Sequence, residues 1–168
     1  MRVNPSQMDQ KANIASFLAD LDEMSPAGFA IALHIKYTTP TLLFQTYPTK
    51  WVEHYTAKGL VMYDPAVKWG FENTGAIRWR DQLDDDPYGV IQEAKRYGMT
   101  HGVTLAVFNQ KSRTVAAFSR SDRDFLDVEI DEISQRLDSI HAATFGINEL
   151  SQEDMAALKK MSIRLTHA

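Results

Sequence analysis

The apolar residues near the N-terminus recur with the spacing of one helix face. They stand at i, i+3, i+4 and i+7 with charged residues between them: Ile14, Phe17, Leu18 and Leu21. This spacing predicts an amphipathic helix. The run Ser-Pro-Ala-Gly over residues 25–28 should end this helix, because proline and glycine both interrupt helical structure.

Two apolar runs follow, at residues 29–35 and 41–47, and a turn containing Thr39 and Pro40 separates them. Apolar runs parted by a turn predict a β-hairpin or two neighbouring strands. Three later segments also have the character of strands: residues 77–80, 103–108 and 115–119. The first of these alternates apolar and basic side chains, which is typical of a short half-buried strand.

Short helices are predicted between the strands, because a proline at the first helical position loses no hydrogen bond. We expect them to begin at Pro48, at Asp64-Pro65 and at Asp86-Pro87. Asp64 has the side chain of a helix cap.

Two further helices are predicted near the C-terminus, since serine is a frequent first residue of a helix. Ser121 is expected to cap a long helix that ends at about Ile147, and a last helix should run from Ser151 towards Ile163. The apolar stripe of the long helix comprises Phe125, Ile133, Leu137 and Ile140.

Strands in runs, without regular alternation of strand and helix, predict an antiparallel sheet flanked by helices. The expected class is therefore α+β, a three-layer α-β-α sandwich with about five strands. The length of 168 residues fits one domain. We divide it into an N-terminal helix (1–24), a central sheet with its helices (28–119), and C-terminal helices or linker (121–168).

The composition excludes several classes of protein. Hydrophobic residues make up 44% of the chain, which is enough for a core and excludes a wholly disordered chain. A net charge of −4 does not suit binding to a phosphate backbone. Because the chain has no cysteine, disulfides, thiolate metal sites and cysteine nucleophiles are also excluded.

The motifs of common enzymes are missing from the sequence. There is no G-x-S-x-G, no H-E-x-x-H and no phosphate loop, and the five histidines have no metal-ligand spacing. We therefore expect no catalysis, no metal and no cofactor. No segment is apolar enough for a signal peptide or a membrane span, so a cytoplasmic protein without a membrane partner is expected.

A group of aromatic and acidic residues has elements of a binding site. Trp51 and Tyr55 lie one turn apart on a predicted helix, after Tyr47 at a strand end, and Asp64 and Trp79 follow. Taken singly, the aromatic residues are more often core, and an aspartate before proline is more often only a cap. Together they can converge on an apolar cleft that suits an uncharged amphipathic ligand.

The order and spacing of these residues resemble those of the LuxR-type autoinducer-binding domain. Three residues separate Tyr47 from Trp51 and Trp51 from Tyr55, Asp-Pro-x-Val begins at Asp64, and Trp79 comes 15 residues after that aspartate. Residues 98–104, with two glycines, also resemble the entry to the fourth strand of that family. The resemblance runs from about residue 28 to 119.

The resemblance implies that the ligand is an N-acyl-homoserine lactone, bound between the sheet and a helical layer. It implies that Trp51 donates to the lactone carbonyl, that Asp64 accepts the amide N–H, and that Tyr47 donates to the acyl carbonyl. Without ligand, Asp64 would then be an unpaired buried charge, so we expect a poorly stable ligand-free state.

Other residues enter the predicted site through the same resemblance. Tyr55 is expected to pack along the acyl chain, Trp79 and Thr104 to border the lactone, and Val67 to contribute as part of the Asp-Pro-x-Val motif. Phe118 stands where some relatives place a small polar residue near the ligand head.

The resemblance also implies a homodimer, and DNA binding only through a C-terminal helix-turn-helix domain that this chain does not contain. Two alternatives remain open. One is a solo domain that inhibits a full-length regulator by pairing through the apolar face of the long helix at 121–147. The other is a PAS- or GAF-like sensor or enzyme for another small apolar molecule, such as a lactone hydrolase with Asp64 as base.

Overall fold

A computed structural model describes residues 5–167 of the chain, and side chains over residues 14–166. Within those residues, six helices and six strands follow in this order: α1 Pro5–Met24, β1 Gly28–Lys36, β2 Thr39–Gln45, α2 Thr49–Ala57, α3 Pro65–Glu72, β3 Gly75–Arg78, α4 Val90–Lys95, β4 His101–Asn109, β5 Ser112–Arg120, α5 Asp127–Ala143, α6 Gln152–Lys160 and β6 Arg164–His167. Short 3-10 helices cover Leu60–Met62 and Trp79–Asp85. Across residues 5–167, no helix has the length and hydrophobicity of a membrane span.

The strands form one antiparallel sheet in the order β3-β4-β5-β1-β2-β6. The α+β class is confirmed, but the described sheet has six strands where about five were expected. The additional strand is β6, which pairs with β2. Ser162, in the left-handed region with φ 57°, lies between α6 and this strand.

Two apolar layers cover the sheet, one on each face, as in the predicted sandwich. On one face α1, α5 and α6 pack over the fully buried strand residues Phe29, Ile31 and Leu33. On the other face, a smaller cluster joins Trp51 of α2, Trp79, and the buried residues of α4. The functional site lies on this second face.

Some element boundaries differ from those predicted. Trp79 starts a 3-10 helix instead of continuing a strand, because β3 pairs with β4 only as far as Arg78. The helix expected at Asp86-Pro87 begins at Val90, and the Asp86 carboxylate accepts from the amides of Val90 and Ile91 at 2.8 and 2.9 Å. Asp86 thus caps the helix across a turn.

The long helix α5 begins at Asp127, six residues after the predicted cap Ser121. Its apolar residues Ile133, Leu137 and Ile140 are fully buried in the core that α5 shares with α1. The interpretation of this face as a free dimerisation surface was therefore wrong, because it is the inner face of the domain.

Two buried histidines tie β1 to α5 on the α1 side of the sheet. The Nε2–H of His34 donates to the His141 carbonyl at 3.0 Å, and Nδ1 lies 2.6 Å from the Ser112 hydroxyl. His141 Nδ1 lies 2.7 Å from the Thr114 hydroxyl, and the two imidazole centroids are 4.5 Å apart. Both rings fit this network as neutral imidazoles.

The free energy of unfolding is expected to fall as the pH is lowered from 7.5 to 5.5. Burial is the main cause that lowers the pKa of both histidines. At His34 the charges of His141 and Lys36 lower the pKa further, and the hydrogen bond to the His141 carbonyl opposes this. At His141 the hydrogen bond to the Asn109 carbonyl and the charge of Asp138 oppose the lowering. A lowered folded-state pKa means that the unfolded chain takes up protons first, near pH 6.5, so acidification favours unfolding. Urea unfolding at both pH values measures the decline, which should be smaller in His141→Gln. Equal declines in the two proteins would contradict the assignment.

Candidate functional site

A cavity of about 360 Å³ lies between the sheet and the layer formed by α2, α3 and α4. This volume is within the range of small-molecule sites. Most of its lining is apolar, and two of its polar residues, Tyr55 and Asp64, are joined by a hydrogen bond. Its walls include Ala30, Ala32, Ile35, Leu43, Gln45, Tyr47, Trp51, Val52, Tyr55, Val61, Asp64, Val67, Phe71, Trp79, Ile91, Thr104, Val115 and Ala117.

The floor of the cavity is made of small residues on the central strands. Ala30 and Ala32 alternate along β1, and Ala117 of β5 is the cross-strand partner of Ala30. Alternate residues of a strand face the same side of the sheet, so all three methyl groups point into one space. These alanines were missed in the sequence, although their spacing of two is visible there.

Helix α2 supplies the aromatic part of the roof. The helix begins at Thr49, one residue after the predicted start, and Pro48 is its N-cap. Trp51 and Tyr55 follow one turn apart, with ring centroids 5.7 Å from each other. Trp51 is only 5% exposed. The hydrogen bonds described over residues 14–166 leave its indole N–H without a protein acceptor, and the residue lines the cavity. This N–H is therefore available to a ligand.

Asp64 caps α3, as predicted, and both its carboxylate oxygens have a donor. Oδ1 accepts from the Ala66 amide at 2.9 Å, and Oδ2 accepts from the Tyr55 hydroxyl at 2.8 Å. Burial raises the pKa of Asp64, and these two hydrogen bonds oppose the rise. The expectation of an unpaired charge without ligand was wrong, because Tyr55 supplies a protein donor. The argument for an unstable ligand-free state loses its basis.

Tyr47 brings a second hydroxyl to the same end of the cavity. Its O–H donates to the Ala117 carbonyl over a long 3.3 Å, which is a weak hydrogen bond. Burial raises its pKa, and the charge of Asp64 raises it further. Tyr47 therefore stays a neutral phenol that can exchange this weak bond for a better acceptor.

Trp79 and Thr104 form a wall whose polar atoms bind each other. The Trp79 indole N–H donates to the Thr104 hydroxyl at 3.1 Å. Thr104 in turn donates to the side chain of Gln82 at 3.4 Å, and Gln82 donates to the Pro65 carbonyl at 3.0 Å. Gln82 was missed because it lies in the acidic segment 81–86, in which no apolar pattern marks a buried position. The wall presents mainly apolar surface to the cavity.

The structure brings seven of the eight predicted site residues to this cavity: Tyr47, Trp51, Tyr55, Asp64, Val67, Trp79 and Thr104. Phe118 does not belong with them. It is fully buried on the opposite face of the sheet, with its ring centroid 6.0 Å from that of Phe29. Because neighbouring residues of a strand face opposite sides, Ala117 takes the place in the cavity that was expected for Phe118.

The chemistry of the site is that of binding to a neutral molecule. One end offers an indole N–H, a phenol O–H and a carboxylate within an apolar enclosure. Within the part of the chain that the structure describes, no cluster of three or more histidine or acidic side chains could hold a metal ion. A ligand with polar atoms at one end and an apolar remainder fits this distribution.

Known proteins are similar to this chain in sequence and in fold. A family model described as "Autoinducer binding domain" matches residues 24–145. The quorum-sensing regulator RhlR of Pseudomonas aeruginosa is 30% identical over 112 residues, which are 66% of this chain and 46% of RhlR. The chain thus spans less than half the length of this curated relative, and the matches to SolR and SdiA cover 32% and 44% of those proteins.

Solved structures support the same fold at lower identity. SdiA in complex with octanoyl-rac-glycerol superposes with a TM-score of 0.60 at 18% identity, covering 96% of this chain and 79% of that one. CepR2 of Burkholderia cenocepacia, an N-acylhomoserine lactone dependent LuxR-family transcription factor, gives 0.55 at 15% identity, covering 83% and 96%.

Proposed function

Because the chain belongs to the autoinducer-binding domain family, we propose that it is the sensing domain of a LuxR-type quorum-sensing regulator and that it binds an N-acyl-homoserine lactone. The family is one of regulatory receptors, not of enzymes. The ligand assignment is supported by one observation: Trp51, Tyr47 and Asp64 line the same apolar cavity.

The head of an acyl-homoserine lactone matches these three groups in number and type. It offers two carbonyl acceptors and one amide donor, while the site offers two donors and one acceptor. We assign the lactone carbonyl to the Trp51 N–H, the acyl carbonyl to the Tyr47 O–H, and the amide N–H to the Asp64 carboxylate. Trp79 and Thr104 border the lactone ring, and Val67 and Tyr55 contact the start of the chain.

The rest of the proposal concerns the whole regulator. We infer a cytoplasmic homodimer that contacts DNA only through a helix-turn-helix domain outside this chain. Residues 1–168 act as a single sensing unit, with the site built by residues 28–119. The solo-domain alternative is not favoured, since the helix face proposed for its pairing is buried within the domain.

An acylglycerol is a second candidate ligand. SdiA has been solved with octanoyl-rac-glycerol, which carries an ester carbonyl and hydroxyls on an apolar chain. A hydroxyl can donate to Asp64 as an amide N–H does, so the polar end of this cavity is compatible with both classes. The two ligands differ in that the amide N–H requires an acceptor at residue 64, whereas a hydroxyl can also accept from a donor there.

Thermal unfolding with and without ligand tests the proposed function. An acyl-homoserine lactone at about 100 times its Kd should stabilise the protein by roughly 2.7 kcal/mol, which raises Tm by several degrees. Trp51→Phe removes the indole N–H, and we expect the Kd of this variant for the lactone to be about tenfold higher than that of the unmodified protein.

The matched control is Trp69→Phe, the same exchange at a tryptophan of α3 that does not line the cavity. It should bind like the unmodified protein. No rise in Tm with any lactone would contradict the proposed ligand, and equal affinities in Trp51→Phe and Trp69→Phe would contradict the assignment of the lactone carbonyl.

A further inference from the structure

We infer that this domain takes ligands with long acyl chains, of about ten to thirteen carbons, whose tails run along β1 to an open mouth beside Thr38 and Phe71. The inference rests on the proposed function, because it places the polar head at Tyr47 and Asp64. It adds the length of the chain and the residues that select for it.

The direction of the chain follows from the walls of the cavity. Tyr47 donates to the carbonyl of Ala117, and Ala117 is paired with Ala30. An acyl carbonyl on Tyr47 therefore lies above Ala30. Trp79 and Thr104 close the side towards β4, where the ring of the head belongs. The chain is left with the path along β1, over the methyl group of Ala32.

A bulge in β1 extends this path to Ile35. The register of β1 on β5 shifts between Ala32 and Ile35, and His34 within the shift has φ 53°. His34 turns its ring to the α5 side, where it binds the His141 carbonyl and the Thr144 hydroxyl. Ile35 thereby returns to the cavity face, so that Ala30, Ala32 and Ile35 line one apolar track.

The far end of the track is open to solvent. Phe71, which follows Gly70 on α3, lines the cavity and is 37% exposed. Thr38, in the turn after β1, also lines the cavity and is exposed. The end of α3 is fixed above β1 by Arg113, which is paired with Ile35 and donates to the carbonyls of Gly70 and Asn73 at 2.8 and 2.6 Å. Large apolar side chains exposed at a cavity mouth are surface that an alkyl tail can cover.

The length of the track sets the length of the chain. A strand rises about 3.3 Å per residue, and the bulge shortens the five-residue advance from residue 30 to residue 35 to the equivalent of about four to five residues. The track is therefore roughly 13–16 Å long. An extended alkyl chain advances about 1.25 Å per carbon, from bonds of about 1.5 Å at near-tetrahedral angles. The tail reaches the mouth at about ten to thirteen carbons, and additional carbons pass into solvent without a clash.

Affinities of unsubstituted acyl-homoserine lactones with four to fourteen carbons test the inference. Each buried CH₂ should tighten binding about fourfold, until the affinity levels off near the length of the track. A best length of eight carbons or fewer, with a sharp loss beyond it, would overturn the inference and leave the proposed function standing. Binding by no member of the series would overturn the proposed function itself.

Three variants locate the track. Phe71→Ala should weaken the twelve-carbon lactone roughly four- to fifteenfold, the equivalent of one or two CH₂ groups, and leave the six-carbon lactone unchanged. Leu83→Ala is the matched control, because Leu83 is also 37% exposed but does not line the cavity.

Ala32→Leu narrows the path and should reverse the preference in favour of short chains. Equal losses for both lactones in Ala32→Leu would contradict the route along β1.

Discussion

Asp64→Asn is expected to weaken binding of an acyl-homoserine lactone at least tenfold without unfolding the domain. Asparagine caps helices as well as aspartate does, so its single side-chain oxygen can keep the bond to the Ala66 amide. The NH₂ group then takes the place of Oδ2, which now accepts from Tyr55. The ligand amide N–H would meet a donor, and the loss of a hydrogen bond to a charged group amounts to about 1.5–3 kcal/mol.

Isothermal titration of the purified domain measures this loss, and Asp86→Asn is its control. Asp86 is likewise a side-chain acceptor at a helix start, where it accepts from two backbone amides, but it lies outside the cavity lining. Its variant should lose some stability and no affinity. In Asp64→Asn, the affinity for octanoylglycerol should fall less than the affinity for a lactone, because a hydroxyl can accept from the new NH₂ group. Unchanged lactone affinity in Asp64→Asn would contradict the role assigned to Asp64.

The local structure that the sequence predicted correctly depends on short-range chemistry. Asp64 caps α3 through an amide two residues away, and Ser151 caps α6 through an amide three residues away. Trp51 and Tyr55 share a helix face because they are one turn apart. Such relations need no knowledge of distant contacts.

The errors concern relations between distant segments. Alternation along β5 separates Ala117 from Phe118, but which of them faces the cavity depends on the layers that cover each face of the sheet. The bulge at His34 is fixed by Ser112, His141 and Thr144, which are 78 to 110 residues away in sequence.

Strand β6 was missed for the same reason. It contains four residues, and its place beside β2 is secured in part by Arg164, which donates to the Tyr47 carbonyl and to Thr49. No local pattern in four such residues predicts a strand. This contact also joins the end of the described chain to Tyr47, which lines the cavity.

The glycine at the second position of β4, Gly102, is required for a steric reason that the sequence resemblance did not supply. Gly102 lies directly beneath the Trp79 indole, and a Cβ atom built at Gly102 would be 2.0 Å from Trp79 Cδ2 and 2.2 Å from Cε2. Gly102→Ala therefore forces the indole away from its bond to Thr104. We expect a loss of about 3 kcal/mol of unfolding free energy, typical of severe overpacking, and a fall in Tm of roughly 6–12 °C.

A double-mutant cycle in urea unfolding tests whether the indole is the cause. In a Trp79→Leu background the ring is gone, so adding Gly102→Ala should cost much less than it does in the native protein, because the two changes share one contact. Ligand affinity should fall in Gly102→Ala as well, since the displaced indole enters the space assigned to the lactone ring. Equal destabilisation by Gly102→Ala in both backgrounds would mean that β4 itself, and not Trp79, requires glycine at this position.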